Sequence, residues 1–213
     1  MDRRFTIAID GTFSSGKGTL ASRLAAHYGL PYLDTGKLYR AVAKRVMDAG
    51  LDPDDVAKCA ALANDLTAEE LSDPILKSGP IGAMASRVAV HPPVRAALLS
   101  FQKDFAAKGA VLDGRDIGTV ICPDAEIKLF VDADATERAR RRHLELTGYG
   151  EDITYEMVLA QLKERDARDS GRDIAPLKPA ENAHLLDTTN LSIERAFEIA
   201  IAMCDAVLTT KPV

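Results

Sequence analysis

The chain has 213 residues, 46% of them hydrophobic and 28% charged, which is the composition of a globular protein with one domain. Its net charge of -5 argues against general binding of nucleic acid, and no apolar run is long enough to cross a bilayer. Because an apolar run begins within the first ten residues, we expect no secretory signal and a cytoplasmic protein.

The first predicted elements are a strand and a helix. Residues 5–10 form a short apolar, β-branched run that predicts a buried parallel strand. In residues 17–28, Leu20, Leu24 and Tyr28 recur at four-residue spacing, which predicts an amphipathic helix that stops at Gly29. The sequence therefore predicts a strand, a glycine-rich loop and a helix in succession.

The loop between them has two glycines five positions apart, followed by Lys17, as in the Walker A pattern. Backbone amides and the helix N-terminus would bind phosphate, and a structural glycine turn is the alternative. The position after the lysine, usually a Mg²⁺-binding Ser or Thr, is Gly18. The predicted ATP-binding loop residues are Gly11, Thr12, Phe13, Ser14, Ser15, Gly16, Lys17, Gly18 and Thr19.

The middle of the chain predicts a brief strand at 31–33 and helices at 35–49 and 54–64. Residues 66–80 are less regular. Thr67 and Glu70 have capping-box spacing, whereas Pro74, Gly79 and Pro80 predict breaks in an exposed connection.

The second half continues the alternation. Strands are predicted at 110–112 and 127–131 and helices at 154–168 and 192–208, with a short apolar run at 184–186. Asp134 and Glu137 have capping-box spacing ahead of a basic helix. The pattern predicts an α/β fold, a three-layer sandwich of the P-loop type with a mostly parallel central sheet and ligands at the strands' carboxyl ends.

Arginines mark candidate anion sites. Arg165, Arg168 and Arg172 have i, i+3, i+7 spacing and would share one helix face. An exposed salt-bridge lattice with neighbouring acids is the alternative. Arg138 and Arg142 share a face of the basic helix, which is either a local anion site or a solvated surface.

Two further groups follow predicted strands. Arg40 and Arg115 are candidates for binding an acceptor phosphate. The alternative for Arg40 is an ordinary surface charge, and the alternative for Arg115 is a structural ion pair. Asp113 is a candidate for the water shell of Mg²⁺ rather than a turn cap, and Asp10 is a weaker alternative.

The GKGT loop resembles the nucleoside monophosphate kinases. Further stretches resemble the bacterial cytidylate kinases: DTG at 34–36, LYR at 38–40, DGRDIGT at 113–119, PDA at 123–125, ERDARD at 164–169, Arg172 and APL at 175–177. The resemblance implies transfer of the γ-phosphate of ATP to CMP or dCMP with Mg²⁺. It also implies a single kinase domain over 1–213, with a mobile monophosphate-binding region near 35–108 and a lid near 134–173. We expect a monomer with no nucleic acid or membrane partner.

The resemblance also implies residue roles. The implied catalytic residues are Lys17, Arg115, Arg165 and Arg172. The implied CMP-binding residues are Thr35, Tyr39, Arg40, Ser86, Arg115, Asp116, Arg165, Asp169 and Arg172. The resemblance also implies that Arg138 and Arg142 of the lid bind ATP.

Two features depart from the family pattern. Residues 66–80 offer too few strand-like residues for the small β element that fuller family members carry, and Phe13 is bulky for a phosphate-binding loop. A kinase for UMP or AMP, or a regulatory nucleotide-binding P-loop module, therefore stays an alternative.

Overall fold

A computed structural model of the protein describes residues 5–210. Five parallel strands form its central sheet in the order β2-β3-β1-β4-β5. The strands are β1 (Ile7–Gly11), β2 (Tyr32–Asp34), β3 (Val111–Gly114), β4 (Ile127–Asp132) and β5 (His184–Asp187). Every pairing is parallel, as the alternation of strands and helices predicts.

Nine α-helices are described within residues 5–210. They are α1 (Lys17–Tyr28), α2 (Thr35–Asp48), α3 (Val56–Ala61), α4 (Ala68–Ser72), α5 (Gly79–Val88), α6 (Pro92–Ala106), α7 (Ala135–Gly148), α8 (Tyr155–Ser170) and α9 (Ile193–Thr210). A 3₁₀ turn spans Pro74–Lys77, and a π-helical turn spans Ile117–Ile121. In this part of the chain, no helix combines the length and apolar character that crossing a bilayer requires.

The sheet is covered on both faces. On one face, α1 and α9 pack against β1 and β4 through a core that includes Leu24 and Cys204. On the other face, Leu112 packs with Ala106 of α6 and with Ile117. This is the predicted three-layer arrangement, and it brings the strands' carboxyl ends to one edge.

Two smaller apolar clusters lie beside the sheet. The first joins α2, α3, α5 and α6 and includes Val42, Val46 and Val88. The second joins α7 to α8 through Leu146 and Val158. These helices belong to the regions predicted to bind the monophosphate and to form the lid, so each region has apolar packing of its own.

Several boundaries differ from the predictions. Gly79 and Pro80 do not break a helix but begin α5, and Pro92 begins α6; the sequence analysis assigned neither helix. Proline suits the first helical turn because its missing N–H has no partner there. The predicted helix at 54–64 is shorter, and Asp55 caps it.

The two predicted capping boxes have different outcomes. The reciprocal hydrogen bonds of Thr67 and Glu70 are present, which confirms the first. Asp134 caps α7 by accepting from the Thr136 amide, but Glu137 instead binds Arg140 and Arg141. The competing arginines explain why the second box is only half formed.

Candidate active site

The loop after β1 has the geometry that its glycines predict. A Cβ atom at Gly11 would lie 1.9 Å from the carbonyl oxygen of Val131, so no larger residue fits where the loop leaves the sheet. Gly16 has φ of 87°, in the left-handed region that favours glycine. The loop is tied to the end of β4, because the Thr12 hydroxyl donates to Asp132 Oδ1 at 2.6 Å.

The loop ends at the N-terminus of α1, where amides point out of the first turn. Gly16 precedes that turn and has no side chain with which to cap it. Lys17 folds back over the loop, with its Nζ 3.5 Å from the Thr12 carbonyl oxygen. Burial, together with the charge of Arg115, lowers the pKa of Lys17. A bound phosphate would restore the charge of this lysine, because an adjacent anion favours the protonated form.

A second charged group lies across the cleft. We call it the Asp169 cluster: the Asp169 carboxylate with Arg115, Arg165 and Arg172. Arg115 Nε lies 2.9 Å from Asp169 Oδ2, Arg172 binds Oδ1, and Arg165 Nε lies 3.9 Å from Oδ2. Burial alone would raise the pKa of Asp169, but the three arginine charges outweigh burial and lower it.

The arginine spacing was only partly predictive. Because α8 ends at Ser170, Arg172 lies beyond the helix and reaches the cluster from the following turn. Arg168 points elsewhere: it binds the Ser86 hydroxyl at 2.7 Å and pairs with Glu164 as the i, i+4 spacing predicts. The prediction that all three arginines share a helix face is therefore wrong for Arg172.

The edge between β2 and β3 supplies the next residues. Arg40 pairs with Asp34 at 2.6 Å. The Thr35 hydroxyl donates to the Asp113 carbonyl oxygen at 2.8 Å, which ties α2 to β3. Tyr39 is partly buried, and the Arg95 guanidinium lies 5.6 Å from the centre of its ring.

Asp113 and Asp10 have different surroundings. Asp113 Oδ1 accepts from the Tyr32 hydroxyl at 3.0 Å, and Oδ2 faces Gly18 of the phosphate-binding loop. Burial and the nearby Asp34 raise the pKa of Asp113, so a bound cation would stabilise its charged form. Asp10 instead accepts the Ile117 and Gly118 amides at 2.7 and 2.8 Å. Both oxygens of Asp10 thus hold the π-helical turn, and its role in the metal shell stays the weaker prediction.

The arginines of the basic helix α7 have different partners. Arg138 lies behind the loop, where it binds the Phe13 carbonyl oxygen, the Ala133 carbonyl oxygen and Asp166. Arg142 pairs with Glu145. The arginines of α7 that line the cleft are Arg140 and Arg141, which the sequence analysis did not select.

Most of these groups line one cleft of about 670 Å³ at the carboxyl edge of the sheet. The predicted residues that line it are Phe13, Ser14, Ser15, Gly16, Lys17, Gly18, Thr19, Thr35, Tyr39, Arg40, Ser86, Asp113, Arg115, Asp116, Arg165, Asp169 and Arg172. Among the described residues, the predicted Gly11, Thr12, Arg138 and Arg142 lie outside that lining. Thr12 and Arg138 hold the loop through Asp132 and the Phe13 carbonyl oxygen, and Arg142 lies beside the Phe13 ring.

The sequence analysis missed several lining residues. Arg95 of α6 donates to Asp116, and both side chains are nearly buried. At the other end, Leu191, Ile193 and Ala196 add apolar surface beside Thr188. No motif marked them, although the helical pattern of α9 could have placed the last two near the loop.

Comparisons with known proteins agree with this geometry. The sequence model of the cytidylate kinase family matches residues 7–206. Proteins named cytidylate kinase from Nitrobacter winogradskyi and Rhodopseudomonas palustris are 55% and 56% identical to the chain over 203 residues, covering 94% of it and 96% of each relative. A solved structure of an uncharacterized protein from Eubacterium ventriosum has the same fold, with a TM-score of 0.56 at 17% identity, over 95% of this chain and 99% of that one. The chain belongs to the cytidylate kinase family.

Proposed function

We propose that the protein transfers the γ-phosphoryl group of ATP to CMP or dCMP, giving ADP and CDP or dCDP. One observation carries this proposal beyond the family relationship. A single cleft is lined on one side by the phosphate-binding loop with Lys17 and on the other by Arg40 and the Asp169 cluster. Two separate phosphate-binding groups suit a donor and an acceptor that both carry phosphate.

The chemistry asks little of the protein in proton transfer. An oxygen of the acceptor phosphate is already anionic, so it can attack the γ-phosphorus directly. The bond between this phosphorus and the β,γ-bridging oxygen breaks, and ADP leaves with the electron pair. The protein's work is to align the two phosphates and to neutralise their charge.

The described residues divide this work. The loop amides and Lys17 bind the donor phosphates at the N-terminus of α1. Arg115 and Arg172 bind the acceptor phosphate, and Asp169 holds both arginines in place. Arg165 lies 3.9 Å from Asp169 Oδ2, too far for a strong hydrogen bond, and keeps its charge for the transferred group.

Asp113 fits the Mg²⁺ that the family implies. Its buried carboxylate faces the loop, and one or two carboxylates with substrate phosphates and water are the usual protein ligands of Mg²⁺. Because Tyr32 occupies Oδ1, we propose that Asp113 holds the metal through water. Bound Mg²⁺ would supply positive charge to the donor phosphates.

The remaining lining residues suggest how each nucleoside is held. We propose that residues 35–108 hold the acceptor, with Ser86, Tyr39 and Asp116 near its base or phosphate. Residues 134–173 would cover the donor, with Arg140 and Arg141 replacing the predicted Arg138 and Arg142 at the cleft. One chain supplies all these residues, which suits a monomer.

An acceptor panel tests the proposal. ADP release is measured with Mg-ATP and, in parallel, CMP, dCMP, UMP, AMP or no acceptor. We expect ADP to form fastest with CMP or dCMP. Equal rates with every acceptor, or slow ATP hydrolysis that no acceptor accelerates, would refute the proposed acceptor class and favour a regulatory nucleotide-binding module.

A further inference from the structure

The loop contains an aromatic ring whose contacts reach across the cleft. The centre of the Phe13 ring lies 4.0 Å from the guanidinium carbon of Arg165 and 5.4 Å from that of Arg142. These distances fall within the range of cation–π interaction. A residue of the phosphate-binding loop thus contacts the helix that supplies the arginines opposite it.

Arg165 has few other contacts that would fix its plane. Its Nη1 lies 3.4 Å from the Gly82 carbonyl oxygen, and its Nε lies 3.9 Å from Asp169. Within residues 5–210, the buried Nε atom has no hydrogen-bond partner. Because both polar contacts are long, the face of the Phe13 ring is the contact that lies against the plane of the guanidinium.

The electrostatic surroundings of Arg165 are mostly repulsive. Burial and the charge of Arg115, followed by those of Arg40 and Arg142, lower the pKa of Arg165 to about 9. The Asp169 carboxylate, 3.9 Å from Nε, opposes this shift in pKa but accepts no hydrogen bond from that atom. An aromatic face attracts the cation and leaves its N–H edge free.

The backbone that carries the ring is anchored by α7. Arg138 donates to the Phe13 carbonyl oxygen at 3.2 Å, and Arg138 is fixed in turn by Asp166 at 2.7 Å and by the Ala133 carbonyl oxygen at 2.7 Å. Both Phe13 and Arg165 line the cleft. The loop, α7 and α8 are therefore tied together at the point where donor and acceptor would meet.

We propose that Phe13 is a positioning residue whose ring holds the Arg165 guanidinium toward the transferred phosphoryl group. This inference rests on the proposed function, because it assigns Arg165 to the transfer step. It also assigns a role to the bulky Phe13 of the loop, whose ring faces Arg142 of α7 and Arg165 of α8.

The test compares two replacements of the ring. Phe13→Leu keeps apolar volume but removes the aromatic face, and Phe13→Tyr keeps the face. We expect Phe13→Leu to lower kcat for CMP phosphorylation about tenfold, and Phe13→Tyr to stay within about twofold of the wild type. KM for ATP should change less than about twofold in either variant, because the loop amides still bind the phosphates. Phe101→Leu, at an exposed ring on α6, is the matched control and should leave kcat unchanged.

A double-mutant cycle shows whether Phe13 acts through Arg165. Arg165→Lys keeps the charge but loses the planar group that stacks on the ring. If the inference holds, adding Phe13→Leu to Arg165→Lys lowers kcat by less than about twofold further. The inference would be overturned if the fold-losses in kcat of the two single variants multiplied in the double variant. A Phe13→Tyr variant as slow as Phe13→Leu would also overturn it.

A spectroscopic readout separates this inference from the proposed function. In NMR spectra, the ring current of residue 13 should shift the Nε–Hε resonance of Arg165. We expect the wild type and Phe13→Tyr to have similar chemical shifts for this resonance, and Phe13→Leu to have a different one. An unchanged resonance in Phe13→Leu would overturn the stacking whatever the activity. A wild-type protein that displaces this resonance but releases no ADP with any acceptor would refute the proposed function, and with it the role assigned to the stack.

Discussion

Arg115 Nε lies 2.9 Å from Asp169 Oδ2, although 54 positions separate the two residues in the chain. Arg115 follows β3 and Asp169 lies near the end of α8, so this pair joins the sheet edge to the α7–α8 hairpin. The Asp169 side chain is 2% exposed and is shared with Arg172. One buried carboxylate therefore organises the cationic side of the cleft.

Removal of the Asp169 charge should lower the stability of the protein. We expect Asp169→Asn to lower the free energy of unfolding by about 3 kcal/mol, because it leaves buried arginines without their anion. Glu164→Gln, at a 71% exposed carboxylate that pairs with Arg168, should change it by less than about 0.5 kcal/mol. Urea unfolding of both variants measures the difference. Equal stabilities would show that Asp169 does not organise the cluster.

Lys17→Ala should separate activity from stability. We expect kcat to fall about 100-fold or more, the scale of losing a group that stabilises the transition state. Because burial already disfavours the charged lysine, the free energy of unfolding should fall by no more than about 1 kcal/mol. Lys58→Ala, on the surface of α3, is the control for kcat. Turnover near the wild-type rate in folded Lys17→Ala would remove the lysine from the mechanism.

The phosphate-binding loop could be predicted because its function is encoded in adjacent residues: Gly11 is required by close approach and Gly16 by φ. Arg95 could not be predicted in the same way. Its place depends on how α6 packs against the sheet, and its partner Asp116 is 21 positions away. Similarly, sequence spacing shows which arginines of α7 share a face but not which face meets the cleft. Tertiary packing brings Arg141, rather than Arg138, to the lining.

The loops beside α2 depend on one bidentate pair, which should make stability depend on pH. Arg45 binds Glu70 at 2.6 and 2.8 Å and also binds the carbonyl oxygens of Leu62, Asn64 and Asp65. The hydrogen bonds from Arg45 lower the pKa of Glu70 from 4.5 to about 2. Because the folded-state pKa is lowered, the stabilisation is present above pH 4.5 and is lost as pH falls toward 2.

Glu70→Gln should therefore be less stable than the wild type at pH 7 by about 1 kcal/mol, since solvent screens a carboxylate that is 33% exposed. The difference should shrink as pH falls from 4.5 toward 2. Urea unfolding across this range measures it, with Glu69→Gln on the same helix as the control. A difference that stays constant with pH would contradict the assigned pair.

The α7–α8 connection also touches the acceptor region. Glu151 Oε1 accepts from the Gly79 amide at 2.8 Å, at the start of α5. We expect Glu151→Ala to speed hydrogen exchange of this amide about fivefold, which corresponds to a cap worth about 1 kcal/mol. Asp152→Ala, at the exposed neighbouring position, should leave the exchange rate unchanged. Equal exchange in all three proteins would show that this contact is not maintained in solution.

The most direct test of phosphoryl transfer follows the γ-phosphate itself. ATP labelled at the γ-position is incubated with the wild-type protein, Mg²⁺ and CMP, and the products are separated. We predict that the label appears in CDP in a one-to-one ratio with ADP and that little appears as inorganic phosphate. Label released mainly as inorganic phosphate, with CMP unchanged, would contradict the account and leave only a nucleotide-hydrolysing P-loop.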